Sequence, residues 1–341
     1  MNSKCEKGIV IAGNIVADVV KNIDVYPEQG MLVNISEVSQ AVGGCTPNTA
    51  IDIAKIDRSV PLSAIGKVGD DDYGRYIVSK LEENGINTDG VSVSSKNLTS
   101  FSDVMSVPSG ERTFFHNKGA NAEFSPEDID IKSLNCSIFH IGYIFLLDKF
   151  DEEDKDYGTV MARFLHDVQN AGIKTSIDVV SDSTGDYAKK IIPALKYSDY
   201  AIMNEIESCS IWKLNPRKED GSVNIENIRL AMEKMAECGV REKIIVHCKE
   251  AAFLLDVKSG EFTAVASLKI PKEEIKGSVG AGDAFCAGSL YGIYSEYSDS
   301  KILEFASAVA ACNLFASNSI DGIRTKNEIF DIMEKYERLS L

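Results

Sequence analysis

Short β-branched apolar runs recur along the chain: GIVIAG at 8–13, VPLSAIG at 60–66, CSIFHIGY at 136–143, TSIDVV at 175–180, YAIMN at 200–204 and KIIVHC at 243–248. Helical spacing of apolar positions fills Pro47 to Ile56 and Tyr73 to Asn84, and each later run precedes a stretch long enough for a helix. Runs apolar at successive positions suit strands buried on both faces. Strand and helix in alternation then predict an α/β fold, a mostly parallel sheet covered by helices on both faces.

Two segments, 23–42 and 91–121, break this rhythm with period-two alternation, as in SFSDVMSV and RTFFHN, separated by the turn signal PSGE. They predict a small β-sheet standing off the main body. With no internal repeat and no low-complexity linker, the sheet reads as an inserted lid on one domain spanning 1–341.

Charge narrows the partners. A formal net charge of -16 over 341 residues offers no basic footprint for nucleic acid, and an anionic substrate would need its own local site. The eight cysteines are dispersed without C-x-x-C spacing and read as reduced core thiols. The apolar run Ile9 to Val20 is interrupted by Gly13, Asn14 and Asp18 and lacks a cleavage site, so it reads as neither signal peptide nor membrane span. A cytoplasmic protein is expected.

The densest chemistry lies in KGSVGAGDAFCAGSLYGIY, Lys276 to Tyr294. Small residues from Ser278 to Asp283 at a strand-to-helix turn would let backbone N–H groups converge on an anion at the helix N-terminus. An acid beside an anion cradle repels the anion unless it serves the chemistry. Phosphoryl transfer reconciles the two, with the amides stabilising charge and Asp283 taking the proton of an attacking hydroxyl. A helix cap after a glycine turn is the other reading. The spacing fits neither the P-loop G-x-x-x-x-G-K-[ST] nor the dinucleotide G-x-G-x-x-G.

VGAGDAFCAGSL resembles the C-terminal signature of the ribokinase-like, PfkB-type carbohydrate kinases, D-T-x-G-A-G-D-x-F. AVGGCTPNTAIDIAKI followed by IGKVGDDDYG is similar to the family's N-terminal signature, and NEIE at 204–207 fits its N-x-x-E. The order and spacing of the three, with the lid segments between them, extend the resemblance over nearly the whole chain.

The resemblance implies a lidded α/β kinase that uses ATP and Mg2+. By it Asp283 is the catalytic base, and Gly280, Ala281 and Gly282 form the anion hole. Gly43 and Gly44 are the lid hinge and substrate-facing turn, while Asn14, Asp18 and Asn48 contact the acceptor. Asn204 and Glu207 organise the nucleotide phosphates and the metal, Glu207 through water, and Ser307 borders the adenine pocket.

Local readings remain beside these: turn formers for Asp18 and Asn48, and an ordinary i, i+3 polar pair for Asn204 and Glu207. His140 reads as a core histidine. Arg112 and His116 lie on the second lid segment, and Phe101, Phe114 and Phe115 read as packing within the lid. Gly277 stands where the family usually has an Asp that helps hold a monovalent cation, and His247, Cys248 and Lys249 replace its usual T-x-G.

The function implied is an ATP-dependent sugar kinase acting on a primary hydroxyl of an unphosphorylated sugar. Because GNIVAD and GGCTPN also resemble adenosine-kinase motifs, a nucleoside kinase is the alternative. A non-catalytic sugar-binding regulator on the same fold is the other class, and ATP turnover separates it. Open lid edges suggest a homodimer.

Overall fold

The computed structural model describes residues 7–108, 111–181 and 186–341. Its strands are β1 Gly8–Gly13, β2 Val16–Ile23, β3 Ile35–Gly43, β4 Leu62–Gly69, β5 Asn87–Ser94, β6 Phe101–Ser106, β7 Arg112–Asn117 and β8 Cys136–Ile144. A two-residue pair follows, β9 Glu153–Asp154 and β10 Gly158–Thr159, then β11 Lys174–Val179, β12 Tyr200–Asn204, β13 Lys243–His247, β14 Ala251–Asp256 and β15 Phe262–Ala266. The helices are α1 Cys45–Ile56, α2 Asp72–Glu83, α3 Val160–Asn170, α4 Tyr187–Leu195, α5 Glu205–Ser210, α6 Ile225–Glu237, α7 Ala281–Tyr294, α8 Asp299–Asn313 and α9 Lys326–Lys335.

The main sheet has nine strands in the order β15-β14-β13-β12-β11-β8-β1-β4-β5. Its pairs from β5 through β13 are parallel, and the pairs β13–β14 and β14–β15 are antiparallel, so β14 alone runs against the others. Alternate residues of β1 feed two cores: Ile9 and Ile11 pack toward α1, α7 and α8, while Val10 and Ala12 pack toward α3 and α6. A strand buried on both faces must be apolar throughout, and GIVIAG is. The predicted fold class is therefore found, with one correction. KIIVHC leads into the antiparallel pair β14 and β15, not a helix, because AAFLL is itself a buried strand.

A separate four-stranded sheet in the order β3-β2-β6-β7 stands beside this body. SFSDVMSV and RTFFHN pair as antiparallel strands, as their alternation predicts. The boundaries differ from those read off the sequence: Val91 to Ser94 belong to the main-sheet edge, and the small sheet begins at Val16. Ile9 to Val20 reads as one apolar run, yet the chain breaks at Gly13 and Asn14 and passes from one sheet into the other. Ser109 and Gly110 of the PSGE turn lie outside the described residues. Phe101 packs against Tyr73, with ring centroids 6.0 Å apart, but Phe114 and Phe115 are exposed and not packed within the sheet. Among the described residues, no helix is long and apolar enough to cross a membrane.

Candidate active site

Strand order reverses between β1 and β8, and chemistry collects beyond the carboxyl ends of the strands around that point, the usual ligand crevice of open α/β sheets. Asn14 follows β1, Tyr143 lies at the end of β8, Asp178 at the end of β11, Asn204 ends β12 and His247 ends β13. The N-terminus of α7 points into the same crevice. A larger cavity of 710 Å³, lined by Gly8, Pro61, Asn87 and Asp128 among others, opens at the opposite ends of the strands, away from Asp283.

Asp283, in the first turn of α7, is buried and gripped at both oxygens. Asn48 Nδ2 donates to Oδ2 at 2.9 Å, and the Tyr143 hydroxyl donates to Oδ1. Burial raises its carboxyl to about 6; the bonds from Tyr143 and Asn48 oppose the rise, Asp178 adds to it and His140 opposes it. At neutral pH Asp283 is an ionised carboxylate with an affinity for protons above the ordinary range.

Gly280 caps α7 at φ +80, the left-handed region that glycine enters without strain. No side chain caps the helix, and Ala281 turns its own N–H to Ser278 O at 3.3 Å. The first-turn amides of Gly282 and Asp283 have no intrahelical acceptor, so they carry the anion-binding capacity of this end. Two corrections follow. Ala281 contributes position and not a free donor, and the turn follows a loop containing Lys272–Glu274, since β15 has already ended at Ala266.

On α1, Asn48 donates its amide N–H to Asp283, while its buried Oδ1 has no hydrogen-bond partner among the described residues. Gly44 caps this helix at φ +85, where a Cβ would fall 2.5 Å from Asn14 O. Gly43 meets Asp18 so closely that a Cβ would lie 2.4 Å from Oδ2. Register puts Asp18, Ser102, His116, Phe114 and Arg112 on one face of the small sheet. That face looks toward Asp283: burial first, then the Asp283 charge, raises the Asp18 carboxyl to about 7 against Arg112 and Ser102. Asn14 is not in this group. It is fully buried, accepts from Tyr143 N at 2.8 Å and donates to Leu146 O at 3.3 Å, so it braces the loop that presents Tyr143.

Asn204 and Glu207 form a reciprocal capping box on α5. Glu207 accepts from Asn204 N at 2.9 Å, Asn204 Nδ2 at 2.7 Å and Ser181 Oγ at 2.8 Å, yet burial still lifts its carboxyl to about 8, with Asp178 and Glu205 adding to the rise. Glu207, Asp178 and Asp283 share a 260 Å³ cavity whose described lining contains no Lys or Arg. Three acids without a cation, beside free helix amides, suit a hydrated hard divalent cation together with phosphate oxygens. A second cavity of 380 Å³ adjoins it through His247 and Gly282 and is mostly apolar, with Leu268, Phe285, Ala310 and Leu314. Ser307 lines it, its buried Oγ without a hydrogen-bond partner among the described residues, as a contact for a flat heterocycle would be. Together the two cavities fit a nucleotide, base in the apolar slot and phosphates at α7.

Sequence reasoning missed Tyr143 and Asp178. Their available signal was position alone, at the carboxyl ends of two predicted strands. His247 packs on Phe285 with centroids 4.6 Å apart, and burial lowers its imidazole to about 4, so it lines the cavity as a neutral ring.

At Gly277 a Cβ would stand 3.0 Å from Ala316 O. A carbonyl-lined corner without a carboxylate holds monovalent cations weakly. Activity in potassium-free and sodium-free buffer, at fixed ionic strength, is expected to change little when potassium is added. Strong activation by potassium would contradict this.

A profile described as pfkB family carbohydrate kinase matches residues 7–326. The chain is 23% identical over 313 residues to fructokinase-1 of Zea mays, covering 87% of this chain and 89% of that one. It is 22% identical to the ribokinase of Schizosaccharomyces pombe, covering 94% and 96%. Among solved structures, the ribokinase of Thermotoga maritima superposes with a TM-score of 0.78 at 20% identity, covering 96% of this chain and 99% of that one. The Arabidopsis thaliana ribokinase complexed with ribose and ATP gives 0.77 at 19%, with the same coverage. With Asp283 set at the head of α7, and with the family profile running across both sheets, the chain belongs to the pfkB family of carbohydrate kinases and is an ATP-dependent phosphotransferase.

Proposed function

We propose that the protein transfers the γ-phosphoryl group of magnesium-ATP to a primary hydroxyl of an unphosphorylated sugar. The observation that carries this reading is the setting of Asp283, a buried base gripped by Asn48 and Tyr143 at the open end of α7. Asp283 takes the hydroxyl proton as the new O–P bond forms and the bond to the leaving ADP breaks. The amides of Gly282 and Asp283 stabilise charge on the transferred group. Asn48 Oδ1 and Asp18 orient the acceptor, Asn204 and Glu207 would hold the magnesium that accompanies ATP, and Ser307 meets the base. Bound magnesium-ATP supplies the electrophilic phosphorus and a good leaving group. The small sheet acts as the lid, hinged at Gly43 and Gly44, and closure excludes water as a competing acceptor.

Charge favours a neutral acceptor. On the small sheet and its flank, Lys118 is paired with Asp148, and Arg112 reaches Ser317 O at 3.3 Å and lies in the field of Asp18. A phosphate monoester would have to displace Asp148 from Lys118 and compete with Asp18 for the charge of Arg112. In a panel of sugars, sugar phosphates and nucleosides assayed for ADP release, a free sugar should give the highest kcat/KM. A sugar phosphate turned over better than its parent would overturn this, a nucleoside optimum would make it a nucleoside kinase, and no turnover would favour a binding regulator.

The reading also implies the cytoplasm, where ATP is available and the seven described cysteines, all free, stay reduced. Exposed Ile35, Val38 and Phe115, on the face of the small sheet opposite Asp18, support a homodimer through that sheet. Sedimentation of the parent as a dimer, and of a Val38→Lys, Phe115→Lys double variant as a monomer, is expected. A monomeric parent would exclude it.

A further inference from the structure

Beneath the polar cavity, where β8 and β11 meet α7, three dissimilar side chains converge. His140 Nε2 lies 3.6 Å from Asp178 Oδ2 and 3.7 Å from Cys286 Sγ, and all three ligand atoms fall within 4.8 Å of one another. We propose that His140, Asp178 and Cys286 form a binding site for a borderline-soft divalent cation of the zinc class, distinct in its ligands from a magnesium held at Asn204 and Glu207 in the same cavity.

The spacing is the first argument. At 3.6 Å the histidine and the carboxylate are too far apart to share a hydrogen bond. In a tetrahedral zinc site, with metal bonds of about 2.0–2.3 Å, neighbouring ligand atoms stand roughly 3.3–3.6 Å apart. The observed edges to His140, 3.6 and 3.7 Å, stand at or just above that span before any ion arrives.

Orientation is the second. Ser176 Oγ lies 2.9 Å from His140 Nδ1, both side chains fully buried. Donation from Nδ1–H to Ser176 leaves the Nε2 lone pair aimed at Asp178 and Cys286, the outer bond that metal-binding histidines characteristically make. Asp178 is 6% exposed, and its Oδ1 has no hydrogen-bond partner among the described residues. The oxygen turned to the imidazole is Oδ2, and a buried carboxylate short of donors is costly to keep charged unless a cation compensates it.

Access and selectivity complete the case. Asp178 and Cys286 both line the 260 Å³ cavity, so an ion enters from it, with His140 as the floor and the fourth position open to water. Nitrogen, oxygen and sulfur together select zinc or cobalt over magnesium, which demands oxygen ligands in octahedral array. The Cys286 thiol passes its proton to solvent as the metal–sulfur bond forms, and carboxylate plus thiolate then neutralise the dication.

Cobalt(II) titrated into the full-length chain tests this through a readout independent of kinase turnover. A thiolate-to-cobalt absorption band should rise to saturation at one equivalent, persist in excess magnesium and disappear when zinc is added. Cys286→Ser should abolish the band, and Cys248→Ser, altering the half-exposed thiol of the neighbouring slot, should keep it. Ser176→Ala should keep the band but weaken affinity about 10–100-fold by freeing the imidazole. A parent without the band overturns the proposal whatever the variants do, as does a band that survives in folded Cys286→Ser.

Discussion

Asp283→Asn should fold, bind ATP and turn over about 10²–10⁴-fold more slowly than the parent, the usual loss on removing a positioned base. Folding should survive because the amide is isosteric and the neighbours can adapt. Its oxygen can accept from Tyr143, and Asn48 can rotate its unpartnered Oδ1 toward the new amine. Turnover falls because the amide takes no proton from the acceptor hydroxyl. The parent should also show an acid limb. Burial raises the Asp283 carboxyl to about 6, so lowering pH through that value protonates the base and reduces kcat/KM, while higher pH restores it. In the variant that limb should disappear from the residual rate. A near-normal kcat in Asp283→Asn would remove Asp283 from the mechanism.

How much of this was legible in the sequence depends on the range of the interaction involved. GIVIAG, YAIMN and the α7 run announced themselves because burial on both faces, or inside a helix bundle, requires unbroken apolar residues. Asp283 and its glycines were legible because backbone geometry at a helix start restricts the residues allowed. Asn14 was misassigned for a related reason. Its motif marks where the chain leaves β1, but whether the amide faces a ligand or the loop after β8 is set by a contact 132 residues away. Tyr143 and Asp178 gave no local signal, since a tyrosine or an aspartate ending a strand is ordinary. Their role appears only when parallel pairing sets β8 beside β11 and brings α7 over both. The small-sheet boundary was misplaced because apolar continuity from Ile9 to Val20 conceals a change of sheet at Gly13.

Two neighbouring glycines should respond to alanine in opposite ways. Gly280 holds φ +80, where an L-residue pays about 1–2 kcal/mol, and a Cβ there would stand 2.5 Å from Ser319 Cβ and 2.7 Å from its Cα. Backbone atoms cannot yield as a flexible side-chain end does, so Gly280→Ala must move the loop or the start of α7. Gly280 O accepts from Ala284 N at 2.8 Å, so the shift reaches the amides of Gly282 and Asp283. A lower Tm and a kcat reduced about 10²–10³-fold, as on losing one oxyanion donor, are expected. Gly282 lies within the helix, and a Cβ there meets only the His247 ring, at 3.7 Å from Cε1, an ordinary contact. Gly282→Ala should therefore fold with stability unchanged or raised by about 0.5–1 kcal/mol, since alanine loses less backbone freedom in a helix. Its methyl group projects where the 260 Å³ and 380 Å³ cavities meet, on the path between phosphates and base. KM for ATP should rise more than kcat falls. Thermal melts with steady-state kinetics on the two variants decide the matter: a parent-like kcat in Gly280→Ala, or a loss of stability in Gly282→Ala, would show that the head of α7 is not the rigid anion cradle described.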